Sequence, residues 1–130
     1  MTREELKAAA TAMLDRAYVP YSHFPVGAAL ECAGGTVFTG CNVENASYPA
    51  GICAERSAIF HAVAEGHTAF RRIVVAGRSQ DFCVPCGVCR QVMREFAPEL
   101  EIICLNGAGE ERTFTLPELL PHSFGPEFLP

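Results

Sequence analysis

The sequence predicts an α/β fold, a three-layer α/β/α sandwich in which a single domain over residues 1–130 contains one mixed five-stranded sheet. Short apolar or β-branched runs alternate with stretches whose apolar residues recur at helical spacing, which is typical of this class. Two of the helical stretches connect strands, so part of the sheet should be parallel. With 49% hydrophobic and 19% charged residues, 130 residues can bury one core without disulfides.

The first part of the chain predicts a helix and then a hairpin. Thr2 can cap the helix, and Glu5 three residues later completes a capping-box signature. Apolar residues recur at helical spacing, at Leu6, Ala10, Met13, Leu14 and Ala17. Strands at residues 26–31 and 36–41 flank Gly34-Gly35, which predicts a turn between them.

The rest of the chain alternates helices and strands after a polar loop at residues 42–51. Apolar spacing predicts a second helix that begins at Cys53 and ends at Gly66. A third helix should begin near Cys86 and stop before Pro98, with Val88, Val92, Met93 and Phe96 on one face. The remaining elements are strands at residues 72–76, 101–105 and 112–115 and a short helix at 116–120.

Net charge, hydropathy and cysteine content indicate which partners and which cellular compartment to expect. The net charge of -5 argues against a nucleic-acid partner, which usually selects a basic face. No stretch is apolar enough for a signal peptide or a membrane span, so we expect a cytoplasmic protein with no membrane partner. Seven cysteines in such a chain should stay reduced and serve as metal ligands, core residues or nucleophiles.

Three of these cysteines and one carboxylate have the spacing of a catalytic zinc site. Cys53 precedes Glu55 by two residues, and Cys86 and Cys89 stand three apart behind Pro85. Three thiolates bind one zinc ion and leave the fourth tetrahedral position to a water molecule. Glu55 would then move protons to and from that water, as in deaminases that act on a nucleobase amino group.

Charge balance requires positive groups near this site. Three thiolates and one Zn²⁺ ion sum to -1, which opposes formation of a hydroxide. Helix N-termini at the cysteines would offset part of this charge. Arg56 can donate hydrogen bonds to a thiolate and offset the rest.

Two alternatives use the same cysteines. Cys83 could join the three ligands and close a structural four-cysteine zinc site, which would leave Glu55 without a purpose. A redox pair at Cys86 and Cys89 would not explain Cys53. The other cysteines are interpreted as small buried hydrophobic residues, namely Cys32, Cys41, Cys83 and Cys104.

The motifs together resemble cytidine deaminase of the small homotetrameric class. The segments that carry the likeness are Cys41-Asn42-Val43-Glu44-Asn45-Ala46-Ser47-Tyr48-Pro49, Gly51-Ile52-Cys53-Ala54-Glu55-Arg56 and Pro85-Cys86-Gly87-Val88-Cys89-Arg90-Gln91. The likeness extends from Tyr18-Val19-Pro20-Tyr21-Ser22 to Ser123-Phe124-Gly125-Pro126. Val84 and Val88 depart from the serine and alanine that are common at these positions.

The resemblance implies a zinc enzyme of pyrimidine salvage, with one zinc per chain, a nucleoside substrate and active sites shared between the subunits of a homotetramer. It assigns zinc to Cys53, Cys86 and Cys89 and proton transfer to Glu55. The resemblance further implies that Asn42 and Glu44 bind the ribose 3′-hydroxyl and that Phe24 and the backbone of Ala54 contact the base. It implies that Tyr48 and Phe124 reach a neighbouring subunit's pocket. It also implies that Arg56 and Gln91 donate hydrogen bonds to the cysteine sulfurs. For Asn42 and Glu44, capping of a turn is the structural alternative.

The leading functional hypothesis is hydrolytic deamination of cytidine and 2′-deoxycytidine. Deamination of a cytosine-bearing antibiotic such as blasticidin S is the first alternative, and the Asn42-x-Glu44 pattern favours a free nucleoside over it. Editing of a polynucleotide is disfavoured by the acidic charge. A zinc-stabilised binding module without catalysis is the alternative from a different class.

Overall fold

One mixed five-stranded sheet forms the middle layer of the structure, a computed structural model that describes residues 1–130. The strands are β1 (Val26–Cys32), β2 (Val37–Cys41), β3 (Phe70–Gly77), β4 (Glu101–Leu105) and β5 (Glu111–Thr115). Their order in the sheet is β2-β1-β3-β4-β5, and β3 with β4 is the parallel pair. The other neighbouring strands pair in antiparallel fashion.

Helices cover both faces of this sheet. They are α1 (Arg3–Ala12), α2 (Ala54–Ala64), α3 (Gly87–Phe96) and α4 (Leu116–Leu119), with 3₁₀ turns at Met13–Arg16, Tyr48–Ala50 and Pro126–Phe128. On one face, α1 buries Leu6 and Ala10 in a cluster with Val74 and Ile103. On the other face, residues of α2 and α3 share a larger cluster with β1, β3 and β4. The predicted three-layer α/β/α fold is therefore confirmed.

Three loops meet at one end of the strands, beyond the carboxyl ends of β2 and β3, and the predicted site lies at this edge of the sheet. Strands β2 and β3 run in the same direction, because β1 lies between them and is antiparallel to both. The chain leaves β2 for α2 and β3 for α3, so both helices begin beyond the carboxyl ends of these strands. The loop before β1 reaches the same edge, where Val26 is paired with Gly77. Ligands of open α/β sheets bind at such an edge.

The predicted face of α3 is wrong at Val88 and correct at Met93, while Val92 and Phe96 are partly buried against the core. Val88 is 58% exposed, whereas Cys89 and Met93 are fully buried. The apolar residues at positions 88, 92 and 96 form one stripe, and Cys89 with Met93 forms the stripe beside it. The second stripe faces inward because Cys89 belongs to the buried sulfur cluster described below. None of the helices is long and apolar enough to cross a membrane.

Helix α2 lies so close to β2 that one position has no room for a side chain. A Cβ atom on Gly40 would lie 2.5 Å from the carbonyl oxygen of Ala54 and 2.6 Å from the amide nitrogen of Ala58. Both contacts are with helix backbone, which can move only as a unit. Gly40 thus fixes how closely the first turn of α2, with Glu55 in it, approaches the sheet.

Replacement of Gly40 by alanine should therefore destabilise the fold. We expect Gly40→Ala to lower the free energy of unfolding by about 1–3 kcal/mol, because the methyl group must displace the backbone of α2. Gly34→Ala is the matched control, since no atom lies within 4 Å of a Cβ at that position, and it should change stability by less than about 0.5 kcal/mol. Urea denaturation measures both, and equal midpoints would contradict the prediction.

Candidate metal centre and active site

The three predicted metal ligands converge from the starts of two helices. Cys53 is the N-cap residue of α2 and Cys86 is the N-cap residue of α3. Cys89 lies in the first turn of α3 and is fully buried. Each helix start presents unpaired backbone N–H groups and the positive end of the helix dipole, which favour sulfur in its thiolate form.

The spacing of the sulfur atoms fits a zinc ion. The Sγ atoms of Cys53, Cys86 and Cys89 all lie within 4.8 Å of one another, and those of Cys53 and Cys86 are 3.8 Å apart. A tetrahedral zinc ion with Zn–S bonds of about 2.3 Å places two bound sulfurs about 3.8 Å apart. Three thiolates at this spacing are a donor set for zinc with one coordination position left open.

Cys83 does not belong to this cluster, so the four-cysteine structural site is wrong. Its side chain lies against Gly77, where an added Cβ would be 3.0 Å from the Cβ of Cys83 and 3.3 Å from its Sγ. Burial raises the pKa of the Cys83 thiol to about 12, which keeps it protonated. Cys83 therefore acts as a core residue, as do the buried Cys32 and Cys104.

Even without a metal, the cluster favours one thiolate. Hydrogen bonding from the Cys89 thiol is the main cause that lowers the pKa of Cys53 to about 5, and Arg56 adds to the effect. Nη2 of Arg56 donates to Sγ of Cys53 at 3.4 Å. The predicted contact between Arg56 and a cysteine sulfur is thus present. Arg56 also places its Nε atom in a buried position without a hydrogen-bond partner.

Glu55 is a buried carboxyl beside the sulfur cluster. It lies in the first turn of α2 and is only 4% exposed. Burial is the main cause that raises the pKa of Glu55 above its ordinary value, and the neighbouring Cys53 thiolate adds to it. A carboxyl group with a raised pKa can both accept and return a proton near neutral pH, which suits a general acid–base role.

A cleft of about 450 Å³ extends from Cys53 to the loop after β2, and Glu55, Cys86 and Cys89 are not among its lining residues. Its lining includes five of the predicted site residues, namely Asn42, Glu44, Tyr48, Cys53 and Arg56. Tyr48 stands at its margin and is 78% exposed. The sequence analysis did not single out Tyr21 and Ser22 as site residues, although they also line the cleft. Both residues belong to the Tyr18–Ser22 segment, which is part of the resemblance but carries no residue pattern that indicates a chemical role.

Asn42 and Glu44 hold the loop that precedes β1. The Asn42 side chain donates to the carbonyl oxygen of Phe24 at 2.8 Å and accepts from the amide of Val26 at 2.9 Å. Glu44 accepts from the backbone amides of Tyr21 at 3.1 Å and Ser22 at 3.0 Å. Hydrogen bonds from Ser22 are the main cause that lowers the pKa of Glu44. These hydrogen bonds reach a loop 16 to 23 residues earlier in the chain, so they do not cap a local turn, and both side chains line the cleft.

The remaining predicted residues differ in where their side chains lie. Phe24 is 46% exposed and Ala54 is fully buried, and neither residue lines the cleft. Phe124 stacks on Phe128 with ring centroids 5.2 Å apart. Gln91 donates its side-chain amide to the carbonyl oxygen of Phe124 at 2.8 Å. Its predicted hydrogen bond to a cysteine sulfur is not formed, because this contact with the C-terminal segment engages the amide instead.

Fold and site together define a class of protein: an α/β protein with three cysteine sulfurs at zinc spacing beside a buried glutamate, the residue set of zinc-dependent nucleobase deaminases. The family model for the cytidine and deoxycytidylate deaminase zinc-binding region matches residues 1–105. A cytidine deaminase of Sporosarcina psychrophila is 42% identical over 99% of this chain and 96% of its own length. That of Halalkalibacterium halodurans is 43% identical over 98% of this chain and 97% of its own.

Solved structures agree with this assignment. The crystal structure of cytidine deaminase from Burkholderia pseudomallei superposes with a TM-score of 0.91 at 48% identity, over 95% of this chain and 100% of that one. Cytidine deaminase from Mycobacterium tuberculosis gives a TM-score of 0.83 at 37% identity, over 96% and 98% of the two chains. The chain therefore belongs to the cytidine and deoxycytidylate deaminase family.

Zinc content should depend on Cys86 and not on Cys83. We expect about one zinc per chain in the unaltered protein and a near-complete loss in Cys86→Ala, because two thiolates cannot hold the ion against dilution. Cys83→Ala removes a thiol of the same chain segment that lies outside the cluster, so it should keep about one zinc. Elemental analysis after dialysis measures this, and metal loss in Cys83→Ala would contradict the assignment.

Proposed function

We propose that this protein catalyses the hydrolytic deamination of cytidine and 2′-deoxycytidine to uridine and 2′-deoxyuridine, with release of ammonia. The observation that carries the proposal is the juxtaposition of three cysteine sulfurs at zinc spacing with a carboxyl that is 4% exposed. The similarity to proteins named cytidine deaminase over nearly their whole length supports the choice of substrate.

Glu55 would carry the protons of the reaction. A zinc ion held by Cys53, Cys86 and Cys89 would supply an activated water molecule for attack on the ring carbon that bears the amino group. Glu55 would accept the proton of that water and pass it to the ring nitrogen beside the carbon, which makes the carbon more electrophilic. The same carboxyl would then take the remaining proton from the hydroxyl group on that carbon and give it to the amino group, which leaves as ammonia while the carbon–oxygen double bond forms. Burial suits this role because it raises the pKa of Glu55.

Arg56 would offset the negative charge of the thiolates. Its guanidinium donates to Sγ of Cys53 at 3.4 Å, so one of the three sulfurs shares its charge with a cation. Less charge on the sulfurs leaves the metal more electrophilic, which favours activation of water at neutral pH. Gln91 does not add to this effect in the isolated chain, because its amide is engaged by Phe124.

Asn42 and Glu44 would recognise one sugar hydroxyl. An ionised carboxylate has about four lone-pair positions, and Tyr21 and Ser22 occupy three of those on Glu44. Asn42 has one of its two amide hydrogens engaged by Phe24. One donor on Asn42 and two acceptor positions thus remain, one on Glu44 and one on the Asn42 oxygen, which accepts only from Val26. The Asn42 donor and the Glu44 acceptor together suit the 3′-hydroxyl group. Recognition limited to the 3′-hydroxyl would accept ribose and 2′-deoxyribose alike.

The exposed aromatic residues suit a homotetramer with active sites shared between subunits. Tyr48 is 78% exposed and Phe124 is 56% exposed, which leaves large apolar surfaces for a neighbouring subunit. We propose that both reach a neighbour's cleft, while Phe24 and the backbone of Ala54 contact the base within their own subunit. A second apolar surface on α2 and α3, formed by Phe60, Val88, Val92 and Phe96, supports assembly.

The cellular setting follows from the chemistry. The reaction turns cytosine nucleosides into uracil nucleosides, which suits pyrimidine salvage. Seven cysteines without a disulfide between them suit a reducing compartment, and we propose the cytoplasm. The formal charge of -5 supports a small nucleoside rather than a polynucleotide as substrate.

Loss of the Glu55 carboxylate should abolish turnover without loss of the metal. We expect Glu55→Gln to lower kcat by about 10³-fold or more, because the proton transfers lose their carrier, while zinc content and folding remain. Glu65→Gln makes the same change at the exposed end of α2 and should leave kcat within about twofold. Ultraviolet absorbance of cytidine measures turnover. Equal rates in Glu55→Gln and the unaltered protein would indicate a non-catalytic zinc module.

The same assay separates the alternative substrates. Cytidine and 2′-deoxycytidine should both be deaminated, because the proposed contacts of Asn42 and Glu44 are with the 3′-hydroxyl, which both nucleosides carry. Turnover of blasticidin S without turnover of cytidine would replace the proposed substrate. Deamination of single-stranded DNA or RNA would indicate an editing enzyme.

A further inference from the structure

Ser22 lies in the cleft and is not assigned a role by the mechanism above. It belongs to the segment 18–25 that precedes β1. This segment is joined to the exit of β2 by two backbone hydrogen bonds, from Tyr18 to the carbonyl oxygen of Asn42 and from Glu44 to the carbonyl oxygen of Tyr18. Ser22 is therefore held beside Glu44 by the backbone as well as by its own side chain.

Three hydrogen bonds converge on Ser22. Its backbone amide donates to Oε1 of Glu44 at 3.0 Å, and its hydroxyl donates to Oε2 of the same carboxylate. The hydroxyl oxygen also accepts from the amide of Phe24 at 3.0 Å. Because the hydroxyl both donates and accepts, its orientation is fixed, and one side chain connects Glu44 with the backbone of Phe24.

The carboxylate of Glu44 is oriented by this contact. Its Oε1 atom accepts two backbone amides, from Tyr21 and Ser22. Its Oε2 atom accepts only the Ser22 hydroxyl, so Oε2 carries the lone pair that is free for a ligand. Without the hydroxyl, the two amides would still hold Oε1, but Oε2 would lose its one protein partner, and the amide of Phe24 would lose its partner as well.

We propose that Ser22 is a positioning residue for sugar recognition: it aims the free lone pair of Glu44 Oε2 into the cleft and links Glu44 to the Phe24 backbone. The proposal rests on the proposed function, since it concerns the same nucleoside cleft. It assigns Ser22 no contact with the reacting atoms. Its effect should therefore appear with substrates that carry a 3′-hydroxyl and vanish with substrates that lack one.

The kinetic experiment compares cytidine with 3′-deoxycytidine in two variants. Ser22→Ala should lower kcat/KM for cytidine about tenfold, mainly through KM, because a charge-assisted hydrogen bond is lost from the carboxylate that binds the sugar. For 3′-deoxycytidine the change should stay below about twofold. Ser22→Thr keeps the hydroxyl at an exposed position and should restore cytidine kinetics to within about threefold.

A second readout does not depend on turnover. Hydrogen bonds from Ser22 are the main cause that lowers the pKa of Glu44, and the charge of His23 lowers it further. Carboxyl NMR should therefore show a higher pKa for Glu44 in Ser22→Ala than in the unaltered protein and in Ser22→Thr, since His23 is common to all three.

The outcomes separate this proposal from the proposed function. Equal losses on both substrates, or unchanged cytidine kinetics in Ser22→Ala, would overturn the role of Ser22 while leaving the deaminase activity established. Absence of turnover in the unaltered protein would overturn the proposed function. In that case the titration of Glu44 tests the contact between Ser22 and Glu44 by itself. An unchanged pKa of Glu44 in Ser22→Ala would overturn that contact, and a raised pKa would support it.

Discussion

The close approach of the N-termini of α2 and α3 is the constraint on which the site depends. It brings Sγ of Cys53 to 3.8 Å from Sγ of Cys86, although the two residues are far apart in the chain. The approach is possible because β1 lies between β2 and β3 and runs antiparallel to both, so that two helix starts face one sheet edge. Gly40 adds to it by admitting the backbone of α2 against β2.

The same edge gives two carboxylates opposite environments. Glu55 is buried, and burial raises its pKa, so this carboxyl holds a proton more readily than an exposed one. Glu44 is half-buried and accepts hydrogen bonds from Ser22 and Tyr21, which lower its pKa and favour its ionised form. A carboxyl that exchanges protons suits catalysis, whereas one that stays charged suits recognition of a hydroxyl group. The two roles differ because of the surroundings, since the side chains are chemically the same.

The order of the elements and the cluster of three cysteines could be predicted from the sequence because both leave local patterns. The capping box at Thr2 and Glu5 and the turn at Gly34-Gly35 are signals a few residues long. The Cys-x-Glu and Cys-x-x-Cys spacings likewise predict how ligands project from a helix start. The inward face of α3 could not be predicted in this way, because two apolar stripes compete and a tertiary contact of Cys89 decides between them.

The contacts of polar side chains were decided by tertiary structure alone. Residue types established that Gln91, Asn42 and Ser22 could donate hydrogen bonds, but their partners lie in segments distant along the chain: Phe124, Phe24 and Glu44. A hydrogen bond needs its two atoms within about 3 Å, and sequence spacing does not fix distances between loops. The sequence by itself determined the fold class and the metal-binding chemistry, and the meeting of three loops at one sheet edge decided which groups remain free for a ligand.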